Sequence, residues 1–331
     1  MPKSVASIPI CVVNHLSEKV AREGSVLKEL APKYDAILFD KDIFSTLSNI
    51  VERAMFMDDP WVIIEGGDGT AQGVITAFMK RRSEFKTFPT FTLLPGGMTN
   101  QVAGNIGLSK RDDINILLRQ KFTQEHLGGE DIADIFEGKE EAKISSAAFP
   151  LIQISSESYP DYYGFLFSTG AIPMVTQYTK AKLHKRGIGG SMAVMGGIMR
   201  AVTFGSHKVM HTTPIVLTTD KRHISELHLG TVVTTLPNLI LGIDPFWGDQ
   251  SRPLRVTYAA GNTRRLLRNI LSIWRGNKKA DRSVDGFHSW TANELTYAYD
   301  GPIVLDGEFL DIKGEAFTVT ATEPVNFLQA T

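Results

Sequence analysis

Two glycine-rich turns and one pair of carboxylates carry most of the chemistry legible in this chain. Gly66-Gly67-Asp68-Gly69-Thr70 follows Trp61-Val62-Ile63-Ile64, β-branched or aromatic residues that suit a strand buried on both faces. Ala71 to Arg82 then carries Val74, Ile75, Phe78 and Met79 at helical spacing, so the glycines join a strand to a helix. Gly66, Gly67 and Gly69 can take backbone angles closed to other residues and bring main-chain N–H groups close to a ligand. The helix N-terminus adds partial positive charge, and phosphate oxygens match that environment. Asp68 would repel a phosphate directly, so the expectation is that it holds a water shell of Mg²⁺ or orients the loop. Thr70 can cap the helix or donate to phosphate. An ordinary strand-to-helix turn would use the same residue types.

A second loop of the same kind favours the ligand reading. Phe91-Thr92-Leu93-Leu94 reads as another strand and ends in Pro95-Gly96-Gly97-Met98-Thr99-Asn100, after which Gln101 to Ile106 begins a short helix. An earlier strand, Ile8 to Val13, ends at Asn14-His15-Leu16-Ser17, and an amphipathic segment runs from Lys19 through Leu30. In a parallel sheet all three loops leave strand C-terminal ends on one edge, where open α/β sheets bind ligands. Neither G-x-x-x-x-G-K-[ST] nor a strand followed by G-x-G-x-x-G with an acid at the ribose distance is present, which argues against a P-loop NTPase or a Rossmann dehydrogenase.

Near the other end, Asp306 and Glu308 flank Gly307. Two carboxylates one residue apart could divide the base and orienting roles that activation of a hydroxyl for phosphoryl transfer requires. Ile303-Val304-Leu305 before Asp306-Gly307 is equally a hairpin signal, because Asp-Gly favours a type I′ turn.

Taken together, G-G-D-G-T at Gly66 to Thr70 and L-P-x-G-x-x-N at Leu94 to Asn100, with Ala103 and Gly107-Leu108, resemble the catalytic domain of the diacylglycerol kinase and sphingosine kinase superfamily. Phe165 to Val175, Gly248 to Asn277 and Asp306-Gly307-Glu308 resemble later elements of that superfamily in the same order, so the resemblance spans nearly the whole chain. It implies an α/β nucleotide domain related to those of NAD kinase and phosphofructokinase, followed by an antiparallel β-sandwich. It also implies transfer of the γ-phosphoryl group of ATP, with Mg²⁺, to a lipid hydroxyl, diacylglycerol-like or sphingoid, at a site between the domains. Carried over, Asn14, Gly66, Gly67, Asp68, Gly69, Thr70, Gly97 and Asn100 would face the nucleotide, and Asp68 would meet the metal through water. Asp306 would be the general base and Glu308 its acidic partner. The chain departs from the pattern at His15 and Glu18, where the superfamily has Asn-Pro and a following glycine, and at Met98 and Gln101; Thr99 could supply the hydroxyl that Met98 lacks. The acidic stretch before the late strand is reduced to Asp244 and Asp249. Two alternatives stay open: a nucleotide- or lipid-binding protein of this fold without turnover, and a kinase of a soluble alcohol.

Composition bounds the rest. At 331 residues, 43% hydrophobic, the chain is long enough for two cores. The expected division is an α/β domain over 1–140, completed by 316–331, and a β-sandwich over 141–315. Glu137 to Lys143 would be the crossover, and Ala147 to Ile154, Ile215 to Thr219 and Leu254 to Tyr258 are expected strands, with Ala316 to Ala321 returning to the first domain. Balanced charge, 35 basic against 36 acidic residues, provides no field to attract nucleic acid. Cys11 is the one cysteine, so no internal disulfide forms, and its place in an apolar strand marks it as core. His207 and His211 are four apart without a helix to present them, and no nucleophile elbow surrounds a serine.

No signal peptide or spanning helix is expected. The expected location is cytoplasmic, with a lipid acceptor reached by peripheral membrane contact and a homo-oligomer compatible with the sequence. Two segments suit that contact: the Gly- and Met-rich Gly187 to Val202, preceded by Lys180, Lys182, Lys185 and Arg186, and the helix from Asn262 to Arg275. In the latter, Leu266, Leu267, Ile270, Leu271 and Trp274 share one face, and Arg264, Arg268 and Arg275 another. A helix packed on a sheet has the same pattern.

Overall fold

The computed structural model describes residues 8–97, 100–127, 144–173, 211–239, 244–274 and 282–330. The chain divides into two compact units, Met1–Phe149 with Val325–Thr331, and Pro150–Pro324.

In the first unit β1 (Ile10–Val13), β2 (Ile37–Phe39), β3 (Trp61–Gly66), β4 (Thr90–Pro95) and β5 (Ile144–Phe149) are interspersed with α1 (Glu18–Glu23), α2 (Val26–Leu30), α3 (Leu47–Met55), α4 (Asp68–Lys80), α5 (Gln101–Ile106) and α6 (Asp113–Leu127). The first four strands are parallel in the order β2-β1-β3-β4. Every residue of β1 and β3 is buried, as the apolar runs Ile10–Val13 and Trp61–Ile64 suit strands covered on both faces. Trp61 and Ile63 pack on one face with Cys11, Leu27, Leu30 and Leu117. Alternation turns Val62 to the opposite face beside its register partner Phe91, where the ring of Phe78 from α4 meets Phe91 edge-on at 5.3 Å. Burial pushes the Cys11 thiol up to about 12, with Glu65 adding to the shift, as suits an inert core residue. The amphipathic run expected from Lys19 to Leu30 is two short helices, because Gly24 at φ +82° turns the chain and Ser25 caps α2 by accepting from the Lys28 amide at 3.0 Å.

The second unit contains β6 (Ile152–Ser156), β7 (Tyr162–Gly164), β8 (Leu166–Gly170), β9 (Thr213–Thr218), β10 (His223–Thr234), β11 (Leu254–Ala260), α7 (Leu266–Trp274), β12 (Phe287–Ala292), β13 (Glu294–Ala298), β14 (Ile303–Leu305), β15 (Glu308–Leu310) and β16 (Ala316–Ala321), and every strand pair is antiparallel. The 12-residue β10 serves two layers. Its first half pairs with β9 and its second with β8, with β11 on the opposite edge and a register irregularity between His228 and Gly230. One layer is therefore β15-β14-β8-β10-β11-β12 and the other β10-β9-β13-β16-β6-β7. Phe167 of β8 reaches across to Tyr297 of β13 and Phe317 of β16, with ring centroids 5.3 and 6.1 Å away, so the layers close on one apolar core. An α/β unit with a parallel sheet and an antiparallel β-rich unit are the architecture the resemblance implies.

Three expectations are corrected. The strand expected over Ala147 to Ile154 is broken at Pro150-Leu151: β5 ends at Phe149 in the first unit and β6 opens at Ile152 in the second. The first unit thus extends past residue 140. The return to it is made by β17 (Val325–Ala330), parallel to β4 and antiparallel to β5, whereas Ala316–Ala321 lies between β13 and β6. Phe317 and Val319 are buried in the sandwich, and the same period-2 pattern would fit either sheet, so alternation alone does not assign a strand to a unit. The helix expected from Asn262 begins at Leu266, after Arg265 at φ +49°. Glu137 to Lys143, Lys180, Lys182, Lys185, Arg186, Gly187 to Val202 and His207 lie outside the described residues. No helix among the described residues is long and apolar enough to cross a membrane.

At the bend of β10, His228 is fully buried, with Nδ1 3.0 Å from the Thr213 carbonyl oxygen and Nε2 3.0 Å from Oγ1 of Thr169. A carbonyl only accepts, so Nδ1 carries the proton and Nε2 accepts from Thr169. Burial holds the imidazole pKa below its ordinary value, against the opposing effect of the Thr213 bond. The unfolded chain therefore takes up a proton first as pH falls below about 6.5, and His228 contributes stability that is present above that value and is lost on acidification. Urea unfolding is expected to become easier from neutral to mildly acid pH, with a shallower pH slope in His228→Gln; equal slopes would refute this role.

Candidate functional site

The strand order places the first unit's crevice. Connections from β1 and from β3 lead to opposite sides of the sheet, which makes the C-terminal ends of β1 and β3 the topological switch point. Asn14, just after β1, donates its backbone N–H to the Glu65 carbonyl at 3.0 Å and its Nδ2 to Oγ1 of Thr70 at 2.8 Å. Its Oδ1 accepts from the Leu16 amide at 3.0 Å. Ser17 completes the link: its Oγ accepts from the Gly67 amide at 3.2 Å and lies 3.5 Å from Oγ1 of Thr70. The Asn14 loop and the Gly66–Thr70 loop are thus joined side chain to side chain.

The two glycine loops are joined backbone to backbone. A Cβ on Gly97 would lie 2.6 Å from Cα of Gly67, and one on Gly96 would lie 2.9 Å from Cα of Gly66. The Gly96 amide donates to the Gly66 carbonyl at 2.8 Å. None of Gly66, Gly67 and Gly69 has a positive φ, so the freedom expected of them is not what the structure uses. Close approach of the two main chains excludes a side chain at Gly96 and Gly97, and the Thr70 side chain excludes one at Gly66. The cap also differs from expectation. Helix α4 begins at Asp68 with Gly67 as its N-cap, which puts Thr70 inside the first turn, buried and accepting from Asn14 rather than capping.

Asp68 orients the second loop. Its Oδ2 accepts from the Gln101 amide at 3.0 Å and its Oδ1 from the Val102 amide at 2.9 Å, so one carboxylate caps the N-terminus of α5. Asn100 sits at φ +47° and ψ +44°, a left-handed position that asparagine tolerates, and bonds reciprocally with Gly97: Gly97 N to Oδ1 at 2.7 Å, Nδ2 to Gly97 O at 2.8 Å. Met98 and Thr99 lie outside the described residues. His15 is 3.6 Å from Asp40 at the end of β2, which also meets Lys28 at 3.3 Å, and Glu18 occupies the first turn of α1.

Glu65 is a site residue that the sequence reading passed over. It is fully buried on β3, and its carboxylate accepts from Ser25 Oγ at 2.6 Å, Leu27 N at 3.1 Å and Val26 N at 3.2 Å while pairing with Arg111 at 3.0 Å. Arg111 also donates to the Gly24 carbonyl at 2.7 Å and to Glu23 at 2.8 Å. A signal was available: Glu65 is the one charged residue in Trp61–Gly66, and a carboxylate inside such a strand needs a partner.

In the second unit, Asp306 and Gly307, at φ +49° and +91°, form the two-residue turn between β14 and β15, with Leu305 opposite Glu308. The Asp306 carboxylate accepts from the Leu166 amide at 2.8 Å and the Phe165 amide at 3.0 Å, and its own N–H donates to the Leu166 carbonyl at 2.8 Å. Glu308 is exposed on β15. Asp244 pairs with Arg255 at 2.6 Å, and Asp249 accepts from Thr291 Oγ1 at 2.5 Å and Ser251 Oγ at 3.1 Å. No three His, Cys, Asp or Glu side chains converge as a metal site among the described residues.

Residues 11–128 match the diacylglycerol kinase catalytic domain. Solved structures share the fold along the full length. A provisionally assigned diacylglycerol kinase from Bacillus anthracis str. Sterne is 12% identical, with a TM-score of 0.66 over 99% of this chain and 98% of that one. A diacylglycerol kinase from the same organism is 11% identical, with a TM-score of 0.58 over 98% of this chain and 97% of that one. Comparison with proteins of curated function finds no match.

Two outcomes test this architecture. Gly97→Ala is expected to lose about 1–3 kcal/mol in urea unfolding, because backbone, not a flexible side chain, opposes its Cβ. Arg111→Met is expected to lose about 3–5 kcal/mol by the same measurement, since it leaves the buried Glu65 charge unpaired. Unchanged unfolding midpoints would remove the roles assigned to these contacts.

Proposed function

We propose that the protein is a lipid kinase that transfers the γ-phosphoryl group of ATP to a hydroxyl of a diacylglycerol-like or sphingoid lipid. The observation that carries this reading is the joining of Asn14, the Gly66–Thr70 loop and the Gly96–Asn100 loop at the β1/β3 switch point, with α4 and α5 both opening there. Main chain that reaches the sheet edge without side chains at Gly66, Gly67, Gly96 and Gly97, beside the N-terminus of α4, suits the approach of polyphosphate oxygens. Asn14, Gly66, Gly67, Asp68, Gly69, Thr70, Gly97, Thr99 and Asn100 are the proposed nucleotide residues. Mg²⁺, when bound, would neutralise charge on the transferred phosphoryl group. The donor set suits an ion that arrives with the phosphates and keeps several waters, which Asp68 would meet through water while its oxygens stay on the α5 amides. It does not suit an ion caged by protein.

Asp306 is the proposed general base and Glu308 its acidic partner. The acceptor oxygen attacks the γ-phosphorus, its proton passes to the base, and the bond to the ADP leaving oxygen breaks. The amides of Phe165 and Leu166 hold the Asp306 carboxylate in one orientation. The same contacts favour a second reading, in which Asp306 only fastens the β14–β15 turn and the protein binds nucleotide or lipid without turnover.

Transfer of labelled γ-phosphate, with Mg²⁺, to micellar diacylglycerol, ceramide and sphingosine and to soluble alcohols separates these readings. Asp306→Asn keeps an acceptor oxygen and a residue at ease in the left-handed region, and is expected to lower kcat by about 10²–10⁴-fold while sparing ATP binding. Turnover equal to that of the parent protein would end the base assignment. ATP binding without label in any acceptor would favour the binding-protein reading.

A further inference from the structure

We propose that the apolar stripe of α7, with Leu227 and Val284 beside it, is a docking surface for an anionic membrane. A surface helix ordinarily turns its apolar stripe to the core. Helix α7 does the reverse. Among Leu266–Ile273 the one buried side chain is Asn269, whose Nδ2 donates to Asp285 Oδ2 at 2.9 Å and to the carbonyls of Arg264 and Arg265 at 3.3 Å. Ser272, three residues on and on the same side, accepts from Arg282 Nη2 at 3.1 Å. The polar edge therefore holds the helix to the unit. Leu266, Leu267, Ile270 and Leu271 fall on one stripe away from that edge at 100° per residue; Leu267 is exposed and the other three are half-buried.

Two further apolar side chains extend the surface. Leu267 is 38% exposed, Leu227 54% and Val284 83%. Their segments are laced together, Gly261 N to Leu227 O at 2.7 Å, Ala260 N to Gly286 O at 2.8 Å and Arg264 N to Asp285 O at 2.9 Å, and a Cβ on Gly261 would lie 2.9 Å from that of Leu227. Clustered exposed apolar residues mark an interaction site.

Charge selects the occupant. Arg264, Arg265 and Arg268 are exposed around the stripe. Arg265 lies 3.8 Å from Asp285, and Arg264 and Arg268 have no carboxylate partner among the described residues. The nearby acid Glu226 accepts from the Tyr258 hydroxyl at 2.9 Å. An apolar stripe edged by guanidinium groups matches the boundary between acyl chains and anionic headgroups. A two-fold contact between copies would set these arginines against one another.

The inference relies on the lipid-kinase reading only for the substrate's presence in that membrane, and docking is measured without turnover. The full chain would be sedimented with vesicles of phosphatidylcholine, with and without phosphatidylglycerol. Binding is expected only with phosphatidylglycerol and should weaken with salt. The paired changes Leu267→Ser with Val284→Ser, and Arg264→Glu with Arg268→Glu, should each lower partitioning about tenfold. Phe56→Ser, at an exposed apolar position of the first unit, should leave it unchanged. Phosphorylation of a short-chain, water-soluble diacylglycerol should be equal in all of these proteins; its absence in the parent would count against the kinase reading and leave docking standing. Equal partitioning of both paired variants, or a dimer without vesicles that Leu267→Ser dissociates, would overturn the docking surface.

Discussion

Backbone lying directly on backbone is the constraint from which the first unit's crevice follows. Gly66 and Gly67 meet Gly96 and Gly97 with no room for a methyl group between them. That contact sets the ends of β3 and β4 at one height, so α4 and α5 open side by side and a single carboxylate, Asp68, can reach from the first turn of α4 to the first amides of α5. Two helix N-termini then share one edge of the sheet, where anions are stabilised, and the Asp68 carboxylate already occupies the first amides of α5. Volume, rather than a left-handed φ, makes these positions glycine. The left-handed residue is Asn100, which stabilises its own turn through both side-chain atoms.

A second constraint lies behind the crevice. Glu65 stands at the end of β3 with no exposure to water, and its charge is tolerable only because Arg111, Ser25 and two amides of α2 surround it. The chain from Glu23 to Leu27, the approach to α6 and the last turn of β3 therefore share one ion pair. Asn14 is tied to the same strand, since its N–H donates to the Glu65 carbonyl. The Gly66–Thr70 loop and the buried charge are thus adjacent along the chain, at Gly66 and Glu65.

What was legible in the sequence was local. The apolar runs of β1, β3 and β4, the two glycine loops and the Asp306-Gly307 hairpin each occupy a few consecutive residues, and each is where its pattern places it. What was not legible depends on partners distant in sequence. Alternation in Ala316–Ala321 and Ala147–Ile154 reports a half-buried strand without naming the sheet, and only Pro150, with no N–H to donate, hints at the break between β5 and β6. Thr70 reads as a cap until Asn14, 56 residues earlier, is found on its hydroxyl. The hydrophobic pattern of α7 is plain, yet which face it buries is decided by Asp285 and Arg282, which follow it in the chain.

Asp306 illustrates how a structural role and the proposed chemical role would meet in one residue. A type I′ turn explains the positive φ at Asp306 and Gly307, and asparagine would meet that need equally well. The turn alone does not call for a charge. The carboxylate draws in the amides of Phe165 and Leu166 at the junction of β7 and β8, and Gly164 leaves it space, since a Cβ there would lie 2.5 Å from Oδ2. The hairpin, the junction and the missing side chain at Gly164 together restrict the carboxylate to one position. A base that must accept a proton along a defined line gains from that restriction, because it loses no rotamer freedom when the hydroxyl arrives. The features that make Asp306 look structural are therefore also those that a positioned base requires, and charge, rather than geometry, separates the two roles.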